Sequence, residues 1–143
     1  MNGNYLANHC RLATTDPDEA ESKTSVFWEK HRRTVMGQPF RLRFCQANLR
    51  NTELSFIEEG APLRIECAGP AHSMFRVAMN ESGRLDLLLN GQPCAQTMTQ
   101  ACLHAPGQHL CFGGGPMSCL LLGFDALYVR SALLRRFGRL PAF

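Results

Sequence analysis

No apolar run in this 143-residue chain reaches the ~20 residues that a membrane-spanning helix needs. The longest, Cys119 to Phe124, is strand-sized. The first residues, Met1-Asn2-Gly3-Asn4-Tyr5, lack a basic segment followed by a long apolar stretch, so no secretory signal is legible and a cytoplasmic location is expected. Seven cysteines are present, but none forms the C-x-x-C pairing of zinc sites and thioredoxin-like motifs. They read as reduced thiols packing like small hydrophobes, with a metal or redox role as the alternative. Among the five histidines, His9, His31, His72, His104 and His109, no two sit at His-x-His spacing. No G-x-S-x-G elbow or Cys/His signature marks a nucleophile. Gly113-Gly114-Gly115 lacks the Lys-Ser/Thr of a phosphate loop and reads as a hairpin turn. One Trp and two Tyr leave few stacking platforms, which disfavours a carbohydrate-binding module. A net charge of +3 is too small to identify a partner. Arg130, Arg135, Arg136 and Arg139 crowd the C-terminal end, either to meet phosphates or to complement a helix dipole.

What is present is a globular composition, 45% apolar and 19% charged, at the length of one domain with a real core. Met1 to Thr14 shows no period and reads as an exposed arm. Thr15-Asp16-Pro17-Asp18-Glu19-Ala20 then opens a helix, with a capping residue, a first-turn proline and carboxylates at the positive end of the dipole. That helix is expected to run to about Arg33. From Phe40 to Phe124 the period becomes two. Short runs are expected at Phe40–Cys45, Leu54–Ile57, Leu63–Cys67, Met74–Met79, Arg84–Leu89, Cys94–Met98, Ala101–Ala105, His109–Phe112 and Met117–Phe124. Turns are expected at Glu59–Pro62, Asn80–Gly83, Asn90–Pro93, Pro106-Gly107 and Gly113–Pro116. Many short strands without intervening helices predict a mainly β protein, a cupin-like or jelly-roll barrel. The period then returns to helical. Asp125 caps a helix with Ala126, Val129, Leu133 and Phe137 on one stripe, and Gly138 and Pro141 end it.

Leu54-Ser55-Phe56-Ile57-Glu58-Glu59-Gly60-Ala61-Pro62-Leu63-Arg64-Ile65 resembles the N-terminal effector domain of AraC/XylS-type transcription regulators. The similarity continues through Met74 to Arg84, in Asn90-Gly91, in Ala105-Pro106-Gly107, in Leu120 to Phe137, and in the early helix from Thr14 to Ala20. Each motif alone is cheap, and their order over residues 14 to 138 carries the resemblance. It implies an arm (1–14), a helix plus cupin-like barrel that senses a small effector (15–124), and a dimerisation helix leading into a linker (125–143). In that family a DNA-binding domain with two helix-turn-helix units follows, and no helix pair suited to reading DNA is present here. The expectation is therefore a homodimeric sensor that touches DNA only through a further domain, with no membrane partner.

In a barrel, alternate side chains on each strand point inward. Arg76 stands where an apolar residue is expected in Met74–Met79. Buried, it would suit a carboxylate effector, such as the aromatic acids some family members sense; otherwise it lies on the solvated face. His72 and His104 join it as candidate ligand contacts, with a turn residue and an ordinary strand residue as the alternatives. Phe44, Phe56, Met74, Ala78, Leu87 and Cys119 are the expected apolar lining. Leu127, Arg130, Leu134 and Phe137 are the expected dimer contacts. Metal-binding cupins need paired histidines with a carboxylate, a pattern missing here, so no metal or cofactor is expected. A stand-alone cupin enzyme, a metal-dependent isomerase or dioxygenase, is the alternative.

Overall fold

Alternation between apolar and polar side chains makes sense only if each strand has an inside and an outside. The computed structural model, which describes residues 6–69 and 74–140, supplies both. A six-stranded antiparallel sheet runs in the order β1 (Cys10–Thr14), β3 (Leu42–Leu49), β4 (Thr52–Glu59), β11 (Met117–Asp125), β6 (Met74–Ser82) and β9 (Cys102–His104). A five-stranded sheet runs β2 (His31–Val35), β5 (Leu63–Cys67), β10 (Leu110–Gly114), β7 (Leu85–Leu89) and β8 (Gln92–Gln96). Their inner faces pack Leu12, Leu42, Phe44, Ile57, Ala78, Leu87, Leu110, Met117 and Leu121 into one core. The sheets share no strand among the described residues, so the architecture is a jelly-roll-like sandwich and not a closed barrel.

Two helices flank the sandwich. Helix α1 spans Pro17–Phe27, and the Asp16 carboxylate accepts from the backbone N–H groups of Asp18 and Glu19 at its start. Helix α2 spans Ala126–Phe137, capped by Asp125 on the Tyr128 N–H and closed by Gly138 in the left-handed region. No helix among the described residues is long and apolar enough to cross a membrane.

Four expectations are corrected by this fold. The first helix stops at Phe27 instead of Arg33, because residues 31–35 pair with β5 as a strand whose inward residues, His31 and Arg33, are polar. The arm is partly strand: Cys10–Thr14 pairs with β3 and buries Leu12, a single apolar contact too slight to show a period. Asn80 to Ser82 belong to β6, so the turn after it narrows to Gly83 and Arg84. Gly113–Pro116 is no hairpin, since β10 and β11 lie in different sheets. The Asn90-Gly91 hairpin forms as expected: Leu89 faces Gln92, and φ values of +50° and +78° give the twist that two-residue hairpins favour.

Gly83 shows what the crossings between sheets demand. Its φ is +73°, and a Cβ there would lie 2.3 Å from the Pro116 carbonyl oxygen. Gly91 has a similar φ of +78° but open space around it. Replacing Gly91 with Ala should therefore cost about 1 kcal/mol, the backbone penalty alone. Gly83→Ala should cost about 3 kcal/mol or prevent folding, because clash adds to strain. Urea unfolding of the two variants checks the ranking, and equal losses would contradict it.

Candidate functional site

Four inward-facing positions line up across the six-stranded sheet. Glu53 on β4 faces Gly123 on β11, Gly123 faces Arg76 on β6, and Arg76 faces His104 on β9. Gly123 carries no side chain, and the guanidinium spans the gap: Arg76 Nε donates to Glu53 Oε1 at 3.4 Å. A Cβ on Gly123 would sit 3.3 Å from Glu53 Cβ and 3.1 Å from Met74 Cε, so the space is already full. Arg76 is 6% exposed, and burial pulls its pKa below the ordinary value while Glu53 opposes the shift. A guanidinium stays charged under such a pull. Burial, helped by the Arg76 charge, lowers the His104 pKa to about 4, so its imidazole is neutral near pH 7. His104 Nε2 is buried and has no hydrogen-bond partner among the described residues.

Arg76 and His104 of this row line a cavity of about 70 Å³ between the sheets. Ile57, Leu85, Leu87, Leu110 and Leu121 make it chiefly apolar. Gln96, 1% exposed, reaches in from the other sheet: its Nε2 donates to Asn80 Oδ1 at 2.5 Å and contacts Cys119 Sγ at 3.1 Å. Asn80 in turn donates to the Gln96 and Gly83 carbonyls, which ties β6 to β8.

The segment after α1 lines another part of the cavity. Trp28 stacks edge-on to Phe44 with ring centroids 5.0 Å apart, and Phe27 lies 5.2 Å from the same ring. Trp28 Nε1, a donor only, is buried and unpartnered among the described residues. His31 also lines the cavity. Its Nδ1 lies 2.8 Å from the Glu29 carbonyl and its Nε2 3.1 Å from the Thr24 hydroxyl. The carbonyl accepts only, so Nδ1 carries the proton, while the Thr24 hydroxyl donates its own to the Ala20 carbonyl at 2.6 Å. Burial, reinforced by the nearby Arg33 charge, lowers its pKa to about 4. Arg33 itself pairs with Glu59 in the interior, where desolvation raises the Glu59 pKa despite its partner.

The structure gathers only some of the expected ligand contacts. Arg76, His104, Ala78, Leu87 and Cys119 line the cavity. Phe44 lies behind Trp28 and holds it in place. Met74 shares the inward parity of Arg76 and lays its Cε over Gly123. Phe56 is on the opposite face of β4, where the Arg43 guanidinium lies 5.9 Å from its ring. It is 1% exposed all the same, so the outer face of the sheet is covered there too. His72 lies outside the described residues. Trp28, His31, Glu53 and Gln96 went unrecognised in the sequence. The lone Trp just after a capped helix was a usable signal for the first; the other three occupy inward positions that an apolar pattern would never select.

Two buried neutral histidines make the fold acid-sensitive. The unfolded chain protonates them near pH 6.5 and the folded chain only near pH 4, so stability is full above pH 6.5 and falls as pH drops between these values. By pH 5 the expected loss is roughly 1–2 kcal/mol per histidine. His104→Gln should remove its share of this slope in pH-dependent urea unfolding, and an unchanged slope would rule the account out.

The sequence between residues 21 and 142 matches the family model described as AraC-binding-like domain. No curated protein matches the chain. Among solved structures, the AraC-like transcriptional activator CuxR superposes with a TM-score of 0.67 at 9% identity, over 85% of this chain and 49% of that one. This chain thus spans about half the length of that activator. The cupin domain of Cnp3 from Schizosaccharomyces pombe gives 0.54 at 10% identity, covering 76% of this chain and 79% of the other. A structure described as DMSP lyases RdDddP and RnDddQII gives 0.52 at 17% identity, over 68% and 57% of the two chains. At such identities the superpositions establish a cupin-like fold and nothing finer. Together with the match over residues 21–142, the two-sheet jelly roll makes this chain a member of the AraC-binding-like domain family.

Proposed function

We propose that this domain senses a small effector in the cavity between its sheets, dimerises through α2, and controls an attached helix-turn-helix DNA-binding domain. The observation that carries the reading is the cavity wall: an apolar surface interrupted by Arg76 and by His104 Nε2 and the Trp28 N–H, neither of which has a partner among the described residues. Binding sites for small molecules combine an apolar lining with a few oriented polar groups in this way. The effector that fits is a small, largely apolar molecule with one polar end. An anionic end gains from Arg76, but Glu53 already supplies a counter-charge there, so a neutral acceptor such as an amide or a carbonyl competes more closely than an isolated arginine would allow.

Helix α2 supports the second part. Leu127 and Phe137 are 72% and 65% exposed, and Leu134 and Arg130 are exposed on the same helix. Leu127 and Leu134 are seven residues apart, the spacing at which two helices meet along a seam. A second copy of the chain would cover them, and Arg130 would sit at the rim of that contact.

The competing reading is a metal-dependent cupin enzyme. Among the described residues no three His, Cys, Asp or Glu side chains converge as a metal-ligand set. Elemental analysis separates the two readings, since stoichiometric iron, manganese or zinc with turnover would favour the enzyme.

Calorimetric titration with a panel of short-chain carboxylates and their neutral amide isosteres, sized for a cavity of about 70 Å³, tests the site. One member is expected to bind, and Arg76→Leu combined with Glu53→Leu should weaken a carboxylate roughly 10–100-fold while sparing the amide. The double change avoids stranding a buried Glu53 charge, which Arg76→Leu alone would do at a cost of about 3–5 kcal/mol. No binding by any member, or equal losses for both classes, would defeat the assignment. For the dimer, Leu127→Glu with Leu134→Glu should raise the dissociation constant at least tenfold, about 1.4 kcal/mol. Light scattering across a concentration series checks this, and a monomeric parent protein would refute it.

A further inference from the structure

The cysteines are dispersed in the sequence but not in the fold. Cys10 faces Cys45 across β1 and β3. Cys67 on β5 lies one register step from Cys111 on β10, whose direct partner is Glu66. Cys94 Sγ and Cys102 Sγ stand 3.3 Å apart. The last pair differs in kind from the others. Cys10/Cys45 and Cys67/Cys111 each join neighbouring strands of one sheet, which a backbone ladder already holds. Cys94 belongs to β8, the terminal strand of the five-stranded sheet, and Cys102 to β9, the terminal strand of the six-stranded sheet. No ladder joins β8 to β9, whose short connection carries a single backbone bridge between Thr97 and Gln100.

We propose that Cys94 and Cys102 form a reversible disulfide in response to a peroxide, stapling the edges of the two sheets beside the cavity. The thiols already touch, both sulfurs lie against the Ala95 carbonyl at 3.9 and 3.6 Å, and closing to a bond needs an approach of about 1.2 Å. Cys94 packs inward against the core from the edge strand yet is only half-buried, whereas Cys102 is buried. A soluble oxidant therefore reaches Cys94 first. Its thiolate attacks the peroxide O–O bond, an S–O bond forms, and the departing hydroxide or alkoxide takes a proton, leaving a sulfenic acid. Cys102 sulfur then displaces hydroxide from the Cys94 sulfur. The Cys102 proton leaves with that hydroxide as water, so two thiols are oxidised and one peroxide is reduced. Burial and the neighbouring Cys94 thiol push the Cys102 pKa up to about 11, which makes this second step faster at alkaline pH.

A metal does not account for the pair as well, because no third donor joins it in a ligand set among the described residues. In a reducing compartment the two would stand as thiols and bridge only under oxidant, as sensing pairs do. Cys94 is two residues from Gln96 and Cys102 two from His104, both on the cavity wall, so the bridge would fix one edge of the cavity. That consequence rests on the effector reading, but the disulfide itself does not.

The test uses the full reduced chain treated with hydrogen peroxide, quenched with catalase, denatured in iodoacetamide and digested with trypsin. The tryptic fragment 85–130 carries Cys94, Cys102, Cys111 and Cys119. Four labels are expected before peroxide and two after, with the unlabelled pair at Cys94 and Cys102 by fragmentation and full labelling restored by dithiothreitol. In Cys94→Ala, Cys102 should keep its label after peroxide. The proposal is overturned if both cysteines of the wild-type chain still take label, if the unlabelled pair lies elsewhere, or if Cys94 is oxidised to sulfinic acid while Cys102 remains labelled. The wild-type mapping does not depend on a variant folding and does not require an effector.

Discussion

A buried positive charge organises the interior of this domain. Arg76 projects between the sheets, where an unmatched guanidinium would cost several kcal/mol. The sequence meets that cost by removing a side chain: with Gly123 standing between them, Arg76 reaches Glu53 across an intervening strand. Burial, helped by the same charge, keeps His104 neutral, and a neutral His104 presents to an otherwise apolar cavity a ring nitrogen with no partner among the described residues. Counter-ion, glycine, histidine and cavity polarity are thus linked through a single side chain.

A second buried pair, Arg33 and Glu59, lies on β2 and β4, one on each sheet. Ion pairs in an interior seldom add net stability over an apolar replacement, but they penalise wrong registers, because a one-residue slip would leave both charges alone. The Asn80–Gln96 amide pair also spans the two sheets. In a sandwich whose sheets share no strand, such polar contacts across the gap fix how one sheet sits on the other, which apolar packing specifies less sharply.

The resemblance to regulators and the fold agree at the level of family, and the fold also explains why the site was hard to foresee. The outer face of the six-stranded sheet is itself well covered at Cys45 and Phe56. When both faces of a strand are buried, apolar residues no longer mark the inside. On β4 the inward set is Glu53, Ser55, Ile57 and Glu59, while Leu54 and Phe56 face the other way. Reading the larger apolar residues as cavity lining therefore selected the wrong parity for Phe56. On β6, by contrast, Arg76 is legible because a charge inside an apolar run is conspicuous whichever face it occupies.

Local chemistry determined what the sequence could determine alone. Asp16-Pro17 and Asp125 start helices because their carboxylates meet nearby backbone N–H groups, Asn90-Gly91 turns a hairpin because both residues tolerate positive φ, and period-two runs between turn residues make strands. Each of these acts within a few residues, so each is written in a few residues. Tertiary structure decided the rest: that residues 31–35 extend a sheet instead of a helix, that Gly113–Pro116 crosses between sheets, that Glu53 neutralises Arg76, and that Cys94 meets Cys102. Those outcomes depend on pairing between segments distant in the chain or on the choice of face, and both are set by the energy of burying whole strands together, not by any one residue's preference.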